Sequence, residues 1–259
     1  MTGVPVLAYT RQGCGAPLVL VHGFPLDHTT WEPLLPYLTP HFDVILPDLS
    51  GFGDSAALET APDMEAYAAA LVGLLDALQL PQSFVAGHSM GGYVSLAFAR
   101  CYGQRLLGLG LIATQALPDI PERKASRYAT AAQVAEQGAV VVADAMSTKL
   151  SANPAHAPIL RNLILRQSPI GIIAALKAMA ERPDLTPLLS SFTFPVAIVH
   201  GLADDLIPPD RSREMKTIIS HAHFAEIPGI GHMPMMEAPQ AAAGALKGLL
   251  APGLPKDGR

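Results

Sequence analysis

The feature of this sequence that most constrains its fold is the alternation of short apolar runs with longer helical patterns. Parallel strands need a crossover connection between them, so this order of elements predicts an α/β fold with a mostly parallel, doubly wound sheet. Several runs are apolar throughout, as strands buried on both faces should be. The predicted strands are residues 5–9, 18–22, 42–46, 83–86, 107–113, 196–200 and 223–227.

One stretch interrupts the alternation. Between residues 115 and 190 the sequence offers no strand, and prolines separate apolar stripes at helical spacing. The stripes are Val142/Met146/Leu150, Leu160/Leu163/Ile164 and Ile172/Leu176/Met179. We therefore predict an α/β core from residues 1–114 and 191–259. Residues 115–190 form a helical cap inserted between two strands, and not an independent domain.

Two core helices are also predicted. Residues 64–80 carry an apolar stripe at helical spacing, with Asp63 as the N-cap. Residues 235–250 form a C-terminal helix, followed by a frayed tail at residues 252–259.

Composition excludes several classes of function. The chain has 259 residues, 15% of them charged, and a formal net charge of −5 without a basic run, which argues against nucleic-acid binding. No apolar stretch reaches the roughly 18 residues that span a bilayer, and the first residues lack the pattern of a signal peptide. We therefore expect a soluble cytoplasmic protein that does not bind membranes. Its oligomeric state is not readable from the sequence.

No cofactor or metal site is predicted. Residues 51–56 and 108–113 both match G-x-G-x-x-A, but neither lies between a strand and a helix start, as a dinucleotide fingerprint requires. His221 and His223 form an H-x-H pair without a third ligand nearby. No S-x-x-K motif is present, so a serine–lysine enzyme is unsupported.

The strongest local motif is GHSMG at residues 87–91, between a strand-like run and a helix-compatible run. This is G-x-S-x-G in the strand–turn–helix context of a nucleophile elbow. A turn that lifts Ser89 clear of the sheet brings flanking backbone too close for a Cβ, which explains Gly87 and Gly91. Ser89 is therefore the candidate nucleophile.

A serine nucleophile needs a base and a group that orients the base. Among the nine histidines, His232 lies after the last predicted strand and directly before the last helix, where loops gather at the carboxyl edge of the sheet. Asp204 and Asp205 follow the preceding strand and open at the same edge. Either carboxylate could orient His232, and the order Ser, Asp, His is that of α/β-hydrolases.

These motifs together resemble the α/β-hydrolase fold superfamily, over nearly the whole chain. Five of them occur in the family's order: LVLVHGFP at 18–25, PDLSGFGDS at 47–55, GHSMGG at 87–92, GLADDLIPP at 201–209 and GIGHMPMMEAP at 229–239. The resemblance implies that Asp204, three residues after Gly201 and four before Pro208, is the acid, and that Asp205 is a solvated neighbour. It also implies an oxyanion hole made of the backbone N–H groups of Phe24 and Met90.

The resulting hypothesis is a serine hydrolase of small carboxylic esters, similar to small carboxylesterases and the enol-lactonase-like group. Enol-lactone hydrolysis and perhydrolysis would use the same residues. A ligand-binding receptor on this fold, with little turnover, is the competing class. Dehalogenases and epoxide hydrolases of the superfamily carry Asp at the elbow, so Ser89 argues against both.

The substrate pocket is the least readable part of the site. The apolar candidates for its lining, each of which could equally be core packing, are Phe24, Trp31, Met146, Met179 and Met233. A substrate carrying its own carboxylate would need a buried cation under the cap. The cap arginines available for that role, which on helical surfaces usually face water, are Arg123, Arg127, Arg161 and Arg166.

Overall fold

The computed structural model describes residues 7–57 and 62–250, in which seven strands form one sheet surrounded by helices. The strands are β1 (Tyr9–Gly13), β2 (Ala16–Val21), β3 (Phe42–Pro47), β4 (Ser83–His88), β5 (Leu106–Ile112), β6 (Val196–Gly201) and β7 (His223–Ile227). Their order across the sheet is β1-β3-β2-β4-β5-β6-β7. All neighbouring strands pair in parallel except β1, which is antiparallel to β3. The predicted fold class is confirmed.

The strand order reverses direction at the centre of the sheet. From β2 the chain moves outward to β3, whereas β4 lies on the other side of β2 and leads to β5, β6 and β7. Ligands of open α/β sheets bind beside the carboxyl ends of the strands at such a switch point. The loops after β2 and β4 are therefore the natural borders of a site.

Ten α-helices lie within the described residues. They are α1 (Leu35–Leu38), α2 (Met64–Ala77), α3 (Met90–Tyr102), α4 (Pro121–Gln137), α5 (Val140–Met146), α6 (Ala157–Leu165), α7 (Pro169–Glu181), α8 (Asp210–Ile218), α9 (Pro234–Glu237) and α10 (Pro239–Lys247). Short 3-10 helices lie at His28–Leu34, Gly103–Arg105, Pro154–His156, Thr186–Ser191 and Gly248–Leu250. Helix α2 packs against α3, and α10 packs against β6 and β7.

The first strand was predicted in the wrong place. Residues 5 and 6 of the predicted strand lie outside the described residues, and the strand begins only at Tyr9. All five residues of β1 are exposed, because it is an edge strand. It therefore has no apolar run for a sequence pattern to detect. The six other strands lie within two residues of their predicted limits.

The two predicted core helices need smaller corrections. Asp63 caps α2 as predicted, accepting a hydrogen bond from the Ala66 amide at 2.7 Å, but the helix ends at Ala77. The predicted C-terminal helix is divided into α9, α10 and a 3-10 turn. The break falls at Ala238, where Pro239 removes an amide donor and forces the preceding residue out of helical geometry. The predicted tail lies outside the described residues.

The segment between β5 and β6 contains helices α4 to α7 and no strand among its residues, all of which the structure describes. Two of its prolines stand at helix starts, where a missing amide donor costs nothing: Pro158 in α6 and Pro169 in α7. The predicted apolar stripes are buried or partly buried, and α4 packs along α7.

A buried glutamine joins this segment to the core. Gln167 is 3% exposed, and its Nε2 donates to Asp27 Oδ2 at 2.9 Å in the loop after β2. Its Oε1 accepts from the Gly53 amide at 2.9 Å in the loop after β3. Beside it the backbones of Gly51 and Gly171 are so close that a Cβ on either glycine would clash with the other. The cap segment is therefore attached to two loops of the sheet.

Within the described residues, no single helix has both the length and the apolar character needed to cross a membrane. One bent pair, Pro154–Leu165 with Pro169–Glu181, meets the length and composition test only when the two helices are taken together, at an angle of 103°.

Candidate active site

The turn between β4 and α3 presents Ser89. This residue has φ +52° and ψ −113°, a conformation rarely adopted by non-glycine residues, which costs about 1–3 kcal/mol. Hydrogen bonds hold the turn in place. The Ser89 amide donates to Ile112 O at 2.9 Å, and its carbonyl accepts from the Gly92 amide at 2.9 Å and from Thr114 Oγ1 at 2.8 Å. The strained turn is thus held by β5 and by the start of α3.

The glycines of the elbow are required by close contacts, as predicted. A Cβ at Gly87 would clash with the carbonyl of Gly91 and with Ser95 Oγ. A Cβ at Gly91 would clash with Val21 O at the end of β2. The second glycine therefore lets the start of α3 lie against the neighbouring strand.

The loop after β6 holds a buried carboxylate. Asp204 is 6% exposed, and its Oδ1 accepts from the Leu206 amide at 2.8 Å and the Ile207 amide at 3.0 Å. Its Oδ2 lies 2.6 Å from Nδ1 of His232. Burial alone would raise the pKa of this carboxyl, but the charge of His232 and the hydrogen bonds lower it well below its ordinary value. The carboxylate is therefore ionised at neutral pH.

The two adjacent aspartates have different environments. Asp204 is buried against His232, whereas Asp205 is exposed and makes no side-chain hydrogen bond among the described residues. The assignment of Asp204 as the acid stays a prediction.

His232 lies between β7 and α9 and is 2% exposed. Because a carboxylate only accepts, Nδ1 carries the proton that bonds to Asp204, and in the neutral form of the ring Nε2 is therefore the acceptor. Among the described residues, no hydrogen bond joins Nε2 to Ser89 Oγ. The two loops are nevertheless adjacent, because Nε2 of His88, the residue before Ser89, donates to the His232 carbonyl at 2.7 Å.

A second histidine, which the sequence analysis did not single out, contacts the same carboxylate. His200 is fully buried near the end of β6, and its Nε2 lies 3.3 Å from Asp204 Oδ2 and 2.9 Å from the carbonyl of Ile207. The ring therefore contacts the loop after β6 at both Asp204 and Ile207. The available signal was a single histidine closing the apolar run at residues 196–200, four residues before Asp204.

The two backbone amides predicted to hold an oxyanion stand at the switch point. Phe24 follows β2, and Met90 is the first residue of α3. Neither amide donates a hydrogen bond to any group in the described part of the chain. Beside them, His22 is fixed through both ring nitrogens: Nδ1 donates to Gly23 O and Nε2 accepts from the Leu49 amide, each at 2.9 Å.

The loop after β3 is held by hydrogen bonds to Asp48. The buried Asp48 carboxylate accepts from the amides of His28 and Asp54 at 2.9 Å, and Ser55 Oγ donates to the Asp48 carbonyl at 2.8 Å. Residues 51–56 form a turn that no helix directly follows, and residues 108–112 lie inside β5. Neither glycine motif has the context of a dinucleotide site.

The predicted pocket residues lie mostly in the core. Trp31, Met179 and Met233 are each less than 4% exposed, and Met146 is partly buried against the same core. None of them lines the open groove of about 450 Å³ between α6 and the 3-10 helix His28–Leu34, where Ile159 and Arg166 are found. Their role in binding substrate stays a prediction.

The four cap arginines are all paired with aspartates. Arg123 and Arg127 contact Asp119, Arg161 contacts Asp144, and Arg166 contacts Asp27. Sequence reasoning missed Arg182, whose side chain is only 4% exposed. It lies 2.8 Å from Asp119 and 4.2 Å above the ring of Tyr93. Arg182 directly follows the last residue of α7, and no sequence pattern singled it out.

No group of three or more histidine, cysteine, aspartate or glutamate residues suited to a metal ion occurs in the parts of the chain that the structure describes. The candidate site consists of Ser89, the His232–Asp204 pair and the predicted backbone amides of Phe24 and Met90.

Comparison with known proteins identifies the family. Residues 18–245 match the model of the alpha/beta hydrolase family. Over 239 residues the chain is 33% identical to the dihydrolipoyllysine-residue acetyltransferase component of the acetoin cleaving system from Pseudomonas putida, covering 86% of this chain and 60% of that protein. The chain thus spans less than two thirds of that relative.

Solved structures of two hydrolases are similar to this chain over almost its whole length. A thermophilic esterase from Thermogutta terrifontis, with malate bound, is 40% identical with a TM-score of 0.90, covering 94% of this chain and 92% of that one. The enol-lactonase from Burkholderia xenovorans LB400 is 25% identical with a TM-score of 0.86, covering 94% and 96%. With a family model matched over most of its length, this chain belongs to the alpha/beta hydrolase family.

Proposed function

We propose that this hydrolase cleaves small carboxylic esters through an acyl-enzyme on Ser89. The observation that carries the proposal is the 2.6 Å contact between Asp204 and Nδ1 of His232, in a loop that is hydrogen-bonded to the serine elbow. That contact selects the tautomer in which Nε2 can accept a proton. The 40% identity to an esterase over nearly the whole chain supports the same chemistry.

In the proposed mechanism, Nε2 of His232 takes the Ser89 hydroxyl proton as Oγ attacks the ester carbonyl. The amides of Phe24 and Met90 donate to the oxyanion, and Asp204 stabilises the imidazolium. His232 then gives its proton to the leaving alcohol. A water molecule, activated by the same imidazole, attacks the acyl-enzyme and releases the carboxylic acid, which restores Ser89.

The test is the hydrolysis of p-nitrophenyl acetate by the native protein and by Ser89→Ala. We expect steady release of nitrophenol that falls by about 10⁴–10⁶-fold in the variant. Ser190→Ala, which removes an exposed hydroxyl in a 3-10 helix, is the matched control and should change nothing. No turnover by the native protein would overturn the proposal and favour a receptor that only binds its ligand.

Enol-lactone hydrolysis is the second candidate, because the similar enol-lactonase covers almost all of this chain. A lactone is an internal ester, so the same residues would open it. A chain-length series of p-nitrophenyl esters, measured beside an enol-lactone, separates the two: the preferred substrate is the one with the higher kcat/KM.

A further inference from the structure

The residue directly before the nucleophile has no place in the proposed mechanism, yet it is enclosed by the parts of the site. His88 ends β4 and is 1% exposed. Its ring centroid lies 4.8 Å from that of His232 and 6.3 Å from that of Trp31. A Cβ on Gly23 would clash with His88 Nδ1, so the loop after β2 also touches the ring.

The two ring nitrogens of His88 have different surroundings. Nε2 lies 2.7 Å from the carbonyl oxygen of His232, which only accepts, so Nε2 carries the proton. Nδ1 is buried and has no hydrogen-bond partner among the described residues. Burial lowers the pKa of His88 well below its ordinary value. The ring is therefore neutral, and its single N–H donates to the main chain of His232.

We propose that His88 is a positioning residue, whose Nε2–H holds the main chain of His232 so that the imidazole of His232 stays on Asp204. This inference rests on the proposed function, because it assigns His232 as the base. This role differs from side-chain packing, because it depends on the hydrogen bond that His88 Nε2 donates to the His232 carbonyl.

Two substitutions separate the donor from the rest of the side chain. Gln places its amide nitrogen as many bonds from Cβ as histidine places Nε2, so His88→Gln keeps a donor for the His232 carbonyl. Asn places its amide nitrogen at the position of Nδ1, so His88→Asn stays polar and loses that donor. Both variants are smaller than or similar in size to histidine, which limits steric damage.

The first measurement is the hydrolysis of p-nitrophenyl acetate by both variants. We expect His88→Asn to lower kcat about 10²-fold, with KM changed less than about threefold, because a small displacement of a catalytic group affects the reaction more than binding. His88→Gln should retain kcat within about fivefold of the native protein. Equal kcat values in the two variants, whether both high or both low, would overturn the proposal.

The second measurement does not depend on turnover. A histidine Nδ1–H bonded to a carboxylate gives a far-downfield proton resonance, which we expect in the native protein and in His88→Gln and expect to lose or broaden in His88→Asn. An unchanged resonance in His88→Asn would contradict the positioning role. If the native protein hydrolyses no ester, the proposed function fails, and this resonance still decides whether His88 holds His232. Should His88→Asn not fold, His88→Leu provides the variant without a donor.

Discussion

The carboxyl edge of the sheet and the cap segment use buried polar groups in different ways. At the edge, Asp204 accepts from the amides of Leu206 and Ile207, two and three residues along the chain. Every proposed catalytic residue lies within five residues of the carboxyl end of a strand. The cap is held by single side chains that contact residues far away in sequence, such as Gln167 with Asp27 and Gly53. The edge therefore carries recognisable motifs, and the cap does not.

The largest expected effect, which tests the carboxyl edge, is that of a substitution in the loop after β6. Asp204→Asn should lower kcat about 10⁴-fold, because the amide favours the wrong tautomer of His232. Asp205→Asn, at the adjacent exposed position, is the matched control and should change kcat less than about twofold. Ester hydrolysis under saturating substrate is the measurement. The reverse result would mean that Asp205 is the working acid.

The next largest effect is expected in the cap. Arg182→Met removes a buried guanidinium that contacts Asp119 and donates to the carbonyls of Leu117 and Met179. It should lower the free energy of unfolding by about 3 kcal/mol, because several buried acceptors lose a donor together. Arg161→Met breaks an exposed pair with Asp144 and should cost at most about 0.5 kcal/mol. Urea unfolding measures both. Equal losses would show that burial does not distinguish the two pairs.

A smaller effect is expected where the cap meets the core. Gln167→Ala leaves the Gly53 amide and the Asp27 carboxylate without their glutamine partner, which should cost about 1–3 kcal/mol. Gln133→Ala, at an exposed position of α4, is the control and should cost almost nothing. Limited proteolysis should cut the cap faster in the Gln167 variant alone. Protection equal to that of the native protein would show that the helices are held by other contacts.

The smallest effect concerns acid. Burial lowers the pKa of His88 below the unfolded value of about 6.5, so the unfolded chain binds the extra proton and stability falls as pH drops below that value. His88→Gln should remove about 1 kcal/mol of the stability difference between pH 7 and pH 5.5. His41→Gln, an exposed control, should leave that difference unchanged. Urea unfolding at the two pH values measures this stability difference for the native protein and both variants. An equal difference in the native protein and in His88→Gln would argue against a buried neutral ring.

Sequence patterns predicted the buried strands and the elbow glycines, because both depend on local geometry. Gly87 and Gly91 flank the elbow for contacts that a Cβ would prevent, and buried parallel strands are apolar throughout. The strand β1 was misplaced because an exposed edge strand needs no apolar face. The break at Ala238 was missed because the apolar stripe continues across the start of α10 at Pro239.

The long-range contacts of residues 115–190 could not be predicted. Nothing in the sequence pairs Gln167 with Gly53, and Arg182 was missed because its partners Asp119 and Tyr93 are brought to it only by folding. His200 was not singled out, because it lies within the predicted strand at residues 196–200, although its ring reaches Asp204. The pocket residues remain predictions, since core packing and substrate contact select the same apolar side chains.

The position of His232 beyond β7 has a consequence for the order of synthesis. While the ribosome is still translating the segments before it, the nascent chain already carries the elbow serine but not the proposed base. Premature termination upstream of that loop would release a hydrolase without a proton acceptor. The proposed ester hydrolysis would then begin only once the outermost parallel strand has been made and added to the sheet.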